Sequence, residues 1–515
     1  MSPRPDRLPQ SSQLCPAHTI RPRVAHGQLR GSTRKPLRVL KFGGTSVADA
    51  SCIERAVDII QTTARACDVV VVVSAMSGVT HELLEAATQS GAGNRRLVVT
   101  VFDQLRNRHE TAVNALIGSA VRRRHVLAKV QELFQEGQRL CEEVVSRHEL
   151  TLRARDAISA LGERLSATLV AAALVERGVD SEAVEATELV VTDCNHGAAE
   201  PLMDLTFERC ETRLRPLLLQ GIVAVVTGFI GATREGVPTT LGRNSSDYSG
   251  TIIGAALNAD EVTLWTDVDG ILTADPKLVP GARPILEMSY REASDLACSG
   301  AKVLHSKTLH PVMQRGIPLA IRNTFAPDRP GTKITPSGPS DAAELRALIA
   351  STDISLITVR GSNLVGTPEI LCRALAVARA ELQFILQPLS SPDEVCFVVS
   401  SGRAEHAFET LRHEFAEDLG PERVRHVTLN STVAIITVVG CDMRGVSGRA
   451  ERLSRALGRR NLSILASAPS ASASSLCFVV AREHMQAALV AVHDELHRQP
   501  VPRARSLQEQ SAKRS

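Results

Sequence analysis

The chain has 515 residues, more than a single hydrophobic core organises, so about two to four domains are expected. With 43% apolar and 22% charged residues and a net charge of +3, the composition is that of a globular protein and gives no basis for a nucleic-acid partner. One Trp, two Tyr and eleven Phe leave little for base stacking, and no apolar run approaches bilayer-spanning length, so no membrane partner is expected either.

Residues 1–36 are rich in Arg, Pro and Ser, carry one acid, Asp6, and have no helix or strand period; they read as a disordered extension. They lack the apolar core of a secretory signal. A cytoplasmic location is expected, with an organelle (plastid) transit peptide as the alternative reading of the leader. From Leu37 strands and helices alternate. Leu37–Phe42 reads as a strand ending in Gly43-Gly44, and a helix follows through Ile60. Val69–Val73 is a continuous apolar run, the mark of a strand buried on both faces of a parallel sheet. Residues 95–150 read as helical, Ala157–Arg177 as a strong helix stopped at Gly178, and Val223–Thr227 and Val262–Thr266 as two further buried strands. The pattern predicts a three-layer α/β sandwich around a mostly parallel sheet over residues 37–335.

A second region opens after the Pro/Gly/Ser-rich stretch 335–340 and contains an internal repeat. Ile357-Thr358-Val359-Arg360-Gly361 returns as Ile436-Thr437-Val438-Val439-Gly440, each with a glycine five residues on, at Gly366 and Gly445. Cys396-Phe397-Val398-Val399 returns as Cys477-Phe478-Val479-Val480. Each copy reads strand–helix–strand–strand–helix, which predicts two ferredoxin-like modules, at 343–418 and 425–500, before a disordered tail at 501–515. Eleven cysteines without a C-x-x-C pair read as free thiols in a reducing compartment.

Four segments carry chemistry. In Lys41-Phe42-Gly43-Gly44-Thr45-Ser46 the glycines let the backbone approach an anion, the amides and hydroxyls that follow donate to it, and Lys41 adds a point charge. The spacing is not that of a P-loop. Gly242-Arg243-Asn244-Ser245-Ser246-Asp247-Tyr248-Ser249 leads into an apolar helix that Ser245 or Ser246 is expected to cap, with Arg243 able to grip a carboxylate. Trp265-Thr266-Asp267-Val268-Asp269-Gly270 closes a strand where open α/β sheets bind ligands. Ser289-Tyr290-Arg291-Glu292 is a capping box whose helix runs towards Gly300-Ala301-Lys302-Val303-Leu304-His305. His305 and His310 have no partner at metal-ligand spacing, and no metal site is expected.

Taken in order, these segments resemble the signatures of aspartate kinases, as do Val72–Thr80 and Leu161-Gly162-Glu163-Arg164-Leu165-Ser166. The resemblance covers roughly residues 37–500. It is strongest to the kinase half of bifunctional aspartokinase–homoserine dehydrogenases, and the double repeat is similar to that family's paired ACT domains. No Gly-x-Gly-x-x-Gly opens a dehydrogenase domain. The resemblance implies transfer of the γ-phosphate of ATP, as its Mg²⁺ complex, to the side-chain carboxylate of L-aspartate, opening lysine, threonine and methionine biosynthesis. It implies that Lys41, Gly44 and Asp247 form the catalytic centre, and that Gly43, Thr45 and Ser46 face the phosphates with Lys41. Thr80, Glu163, Arg243 and Ser246 are implied to hold aspartate. Thr266, Asp267, Leu272, Lys277, Lys302 and Val303 are implied to line the ATP site. A carboxylate such as Glu163 suits the α-ammonium and a guanidinium such as Arg243 the α-carboxylate.

Two positions depart from the family: Leu272 stands where a Tyr is usual and Ser306 where a Pro is usual. The alternatives are a kinase of another amino-acid carboxylate and a catalytically weak, effector-binding regulatory subunit. The repeats are expected to assemble a homodimer or larger and to take an amino-acid effector. Threonine-responsive relatives carry a glutamine after each repeat's first helix; this chain aligns Pro388 and Pro469 there, with Gln387 one place early, which predicts weak or no response to threonine.

Overall fold

The computed structural model describes residues 35–242, 245–299, 304–339, 347–361, 372–373, 376, 382–386, 394–416, 424–440, 449–469 and 475–497. The first half runs β1 (Leu37–Phe42), α1 (Ala50–Ala64), β2 (Asp68–Val73), α2 (Val79–Gly91), α3 (Arg95–Leu116), α4 (Ala120–Arg147), α5 (Leu152–Ser159) and α6 (Leu161–Glu176). It continues through β3 (Ser181–Val184), α7 (Met203–Leu219), β4 (Val223–Thr227), the hairpin β5 (Ile230–Ala232) and β6 (Pro238–Thr240), and α8 (Ser246–Ala256). It closes with β7 (Glu261–Thr266), β8 (Glu287–Ser289), α9 (Tyr290–Cys298), α10 (Ser306–Arg315), β9 (Leu319–Asn323) and β10 (Thr332–Thr335).

The main sheet has eight strands in the order β3-β4-β2-β1-β7-β9-β10-β8. Its first six strands are parallel; β10 runs antiparallel to β9 and parallel to β8. Alternation along β1 and β2 splits the core in two. Leu40, Phe42, Val69, Val71 and Val73 face a cluster built with α1 to α6, while Leu37, Val39, Val70 and Val72 face a cluster built with α7 to α10. Both faces are therefore covered, as the continuous valine run requires. The helix expected over 157–177 begins earlier and is broken at Ala160 into α5 and α6. The Leu152–Glu176 stretch is long and apolar enough to cross a membrane, which corrects the expectation of no such run; 78% of its window is buried inside the protein, as in a core helix.

The repeat region forms two four-stranded antiparallel sheets. With β11 (Ala347–Ser351), β12 (Ile354–Gly361), β13 (Leu382–Leu386), β14 (Glu394–Ser400), β15 (Val424–Asn430), β16 (Val433–Val439), β17 (Ala466–Pro469) and β18 (Ser475–Ala481), the orders are β13-β14-β12-β15 and β11-β16-β18-β17. The first sheet is contiguous over residues 354–430. The second takes its fourth strand, β11, from the chain ahead of the first, pairing Ala347 with Val439 through Ser351 with Ile435. The pairings therefore cross the expected limits of 343–418 and 425–500: β15 completes the first module and β11 the second. A short strand carries no local mark of its partner, so sequence periodicity could not assign either one.

The modules keep matching internal contacts. Thr358 Oγ1 lies 3.5 Å from Cys396 Sγ, and Thr437 Oγ1 lies 3.3 Å from Cys477 Sγ. Arg373 grips Glu414 at both side chain and carbonyl, and Arg452 grips Glu495 likewise. The two sheets meet through Ile354, Leu356, Cys396 and Val398 on one side and Val433, Ile435, Cys477 and Val479 on the other.

Candidate functional site

The site forms at the C-terminal edge of the parallel sheet, where the central strands stay knitted past their ends. Gly43 N–H donates to Trp265 O (3.0 Å), Ser74 N–H to Phe42 O (3.1 Å) and Gly228 N–H to Val73 O (2.8 Å). Gly44 is required by close approach: a Cβ there would stand 3.0 Å from Ala75 O.

Lys41 shares the face of Leu37 and Val39 and so points towards α8. Its stem runs beside Gly250, where an added Cβ would meet Lys41 Cβ at 3.1 Å. Asp247 lies one helical turn before Gly250 and pairs with the Lys41 ammonium at 2.5 Å. Lys41 is only 6% exposed. A buried cation with a single carboxylate partner is held in one direction while keeping donors for a further anion.

Glu163, in the first turn of α6, is 3% exposed. Its Oε1 accepts from Ala75 N–H at 3.1 Å, while Oε2 is buried with no partner among the described residues. Burial pushes the carboxyl up to about 8, and the Ala75 amide and the Lys41 charge pull it partly back. An orphaned buried carboxylate oxygen is costly in isolation and is explained by a cationic ligand. Thr80, half-buried, opens α2 just past Gly78, whose φ of +84° turns the chain into that helix.

The α8 N-terminus differs from expectation. Ser245 is the N-cap residue, but its hydroxyl donates to Gly242 O (2.6 Å), and Ser246 is buried against Gly228; neither side chain caps the helix. Ser246 and Asp247 are nevertheless brought to the site by the first turn. Phe229, beside Gly228, holds a φ of +67°, fixed by Phe229 N–H to Ser249 Oγ and Leu241 N–H to Phe229 O. Such strain in a bulky residue clusters at functional sites. Ser46 also differs. Its amide is spent on Gly43 O and its hydroxyl on Trp265 O and Thr324, so it braces the turn instead of facing the phosphates. Thr45 is exposed.

At the end of β7, Thr266 Oγ1 donates to Asp267 Oδ1, and Asp267 is exposed. Asp269 is committed to Asn323 and Arg329 and is not free for a ligand. Leu272 bridges Pro284 in the loop that follows, and Lys277 is exposed on the same loop. Arg243, Lys302 and Val303 lie outside the described residues, as do Pro388 and Gln387; Pro469 ends β17, paired with Leu476. The capping box at Ser289 forms as expected.

Sequence reasoning passed over Asp156. It is 2% exposed and accepts from His196 Nδ1, Gly197 N–H and Thr240 Oγ1, so it ties the loop before α7 to the strand that leads to Gly242. Nothing in its local sequence, Arg155-Asp156-Ala157, set it apart from an ordinary surface carboxylate.

The sequence profile described as the amino acid kinase family matches residues 36–323, and that of the ACT domain matches residues 436–496. The chain is 29% identical over 467 residues to a bifunctional aspartokinase/homoserine dehydrogenase of Haemophilus influenzae, covering 89% of this chain and 56% of that protein. It thus spans little more than half the length of that relative. It is 29% identical over 464 residues to the lysine-sensitive aspartokinase 3 of Escherichia coli, covering 89% of this chain and 98% of the relative. The structure of E. coli aspartokinase III with aspartate and ADP superposes with a TM-score of 0.72 at 27% identity, covering 89% of this chain and 99% of the other. With its profile matched from β1 to β9, around the sheet edge that holds Lys41, Asp247 and Glu163, the chain belongs to the amino acid kinase family.

Proposed function

We propose that this protein is an aspartate kinase, transferring the γ-phosphoryl group of Mg²⁺-bound ATP to the side-chain carboxylate of L-aspartate. The observation that carries the reading is Glu163 Oε2, an unpaired carboxylate oxygen buried beside the Lys41–Asp247 pair. It fits an α-ammonium and rejects an N-acylated substrate, which would leave it unpaired.

The reacting carboxylate ionises near pH ~4, so it is already a nucleophile at neutral pH and needs no base. Asp247 is spent on Lys41 and acts by aiming it. Lys41 meets the charge developing on the transferred phosphoryl oxygens, and the Gly43–Gly44 turn lets the backbone come close. Thr266 and Asp267 receive the nucleotide at the end of β7; the Mg²⁺ ion enters as part of the nucleotide substrate. Arg243 takes the α-carboxylate, and Thr80 and Ser246 border the same space.

The test is ATP consumption trapped as a hydroxamate. L-aspartate is expected to support it; L-glutamate and N-acetyl-L-aspartate are not. Turnover with either of these but not with aspartate overturns the proposal.

The outer strand β15 of the first sheet suits assembly into a homodimer or larger, to be read by light scattering. The likeness to a lysine-sensitive relative and the two prolines favour lysine over threonine as effector. Nine described cysteines are free thiols, which agrees with a cytoplasmic setting.

A further inference from the structure

The loop between β7 and β8 leaves the kinase sheet as a narrow stalk. Thr332 Oγ1 accepts from Ile271 N–H (2.7 Å) and donates to Ile285 O (2.6 Å), so one hydroxyl pins both ends. Gly270 makes the turn into the stalk with a φ of +107°, where a Cβ would strike Thr332 Oγ1 at 2.5 Å. Ile285 N–H donates to Ile271 O and Thr273 N–H to Arg283 O, at 2.8 Å each.

Beyond Thr273 the loop's partners belong to the second ACT-type module. Leu348 N–H, on β11, donates to Thr273 O (2.8 Å). Thr273 Oγ1 accepts from Arg283 N–H (2.9 Å) and lies 3.0 Å from His493 Nε2, on the module's last helix, Met485–His497. A hydroxyl that accepts from one amide still has a lone pair and a proton to offer, so it serves either tautomer of the imidazole. Ala274 and Val279 are buried in the same cluster as Leu348, Ala488, Leu489 and Val492, and Gln486 Nε2 reaches Leu278 O. His493 itself is 4% exposed.

The module's fold does not require a histidine there. Ala404 and Met485 open the corresponding helices of the two modules, and the ninth residue is Arg412 in one and His493 in the other. Arg412 is exposed; its described contacts are an ion pair with Glu409 and a place over the Phe408 ring, both on its own helix.

We propose that His493 is a positioning residue for the nucleotide site: through Thr273 it fixes the loop that carries Leu272 and Lys277, so the second ACT-type module completes the ATP-binding surface of the kinase half. The inference rests on the reading of the β7 end as the nucleotide site. A buried hydrogen bond of this kind sets the loop's position without touching substrate, and its loss falls on ATP and not on aspartate.

The test uses the full chain and ADP. ADP binding is read by calorimetry and by the fluorescence of Trp265, the sole tryptophan, which precedes Thr266 on β7. His493→Ala is expected to weaken ADP binding about five- to tenfold, with KM for aspartate within about twofold of the unchanged protein. His493→Gln, whose amide can reach the same oxygen, is expected to restore ADP affinity. Thr273→Ala is expected to match His493→Ala, and the double variant to add nothing to either. Thermal melting of each variant reports folding. Unchanged ADP affinity in His493→Ala, or equal losses for ADP and aspartate, overturns the inference. An unchanged protein that gives no ADP response in fluorescence or calorimetry overturns the nucleotide-site reading and this inference with it.

Discussion

The two ACT-type modules share a topology and diverge on one helix. Both carry the threonine–cysteine contact and the arginine that grips the last helix. In the first module that helix, Ala404–Glu414, buries Ala404, Ala407 and Leu411 and turns Glu409, Thr410 and Arg412 to solvent. In the second, Ala488, Leu489, Ala491 and Val492 are all buried, because the far side of the helix meets the kinase loop. The comparison teaches that a repeated fold acquires a division of labour by changing the outer face of one helix while its inner face is conserved by packing. The second module is tied to the loop that follows β7.

The ceiling for any such effect is set by the charge centre itself. Lys41→Ala and Asp247→Ala are each expected to lower kcat by about 10²–10³ with little change in either KM, since these groups act on developing charge. A variant within a few-fold of the unchanged enzyme removes that residue from the mechanism. Truncations of one buried leucine on each of these helices then separate the modules. Leu411→Ala and Leu489→Ala should each cost about 2–4 kcal/mol of stability by calorimetry, but only Leu489→Ala should raise KM for ATP. Equal kinetic effects would break the comparison.

Acid–base behaviour separates the kinase half from both modules. Burial raises the Glu163 carboxyl from its ordinary 4.5 to about 8, so in that interval the folded protein holds a proton the unfolded chain has lost. Stability without substrate therefore falls as pH rises through that window, and levels off above it. The aspartate ammonium needs the ionised form, so KM for aspartate is expected to fall as pH rises towards about 8. Glu163→Gln should raise that KM and abolish its pH dependence; a flat profile in the unchanged enzyme rules out the coupling. Effector titrations at subsaturating aspartate probe the two modules together: threonine is expected to inhibit weakly or not at all, with lysine, or no small effector, in its place. Strong inhibition by submillimolar threonine would overturn the reading of Pro388 and Pro469. The smallest effect belongs to Arg412→Ala, an exposed pair with Glu409, within about 0.5 kcal/mol and without kinetic consequence.

Much of the kinase half was legible because its signals are local. Val69–Val73 has no polar residue to place on a solvent face, and Gly43-Gly44 marks a close approach that the structure locates against Ala75. The repeat was legible from matched strands. What escaped the sequence depends on distant pairing. β11 gives no sign that its partner lies past an entire module, and His493 is an ordinary helix residue until Thr273 is placed beside it. Ser46 reads as a ligand donor in its motif, yet its hydroxyl is consumed by Trp265 and Thr324, two strands that sequence adjacency does not bring together.

The interrupted second module has one more consequence. The first module is, in topological terms, an insert: the chain leaves the second sheet after β11, builds residues 354–430, and returns at β16. Its way out and way back are gathered by a single side chain, since Arg482 Nη2 lies 2.9 Å from both Thr352 O and Ser431 O. An insert whose two ends meet at one guanidinium is a cassette. An exchange of that insert has to keep two things, the anchor on Arg482 and the apolar face of Ile354, Leu356, Cys396 and Val398.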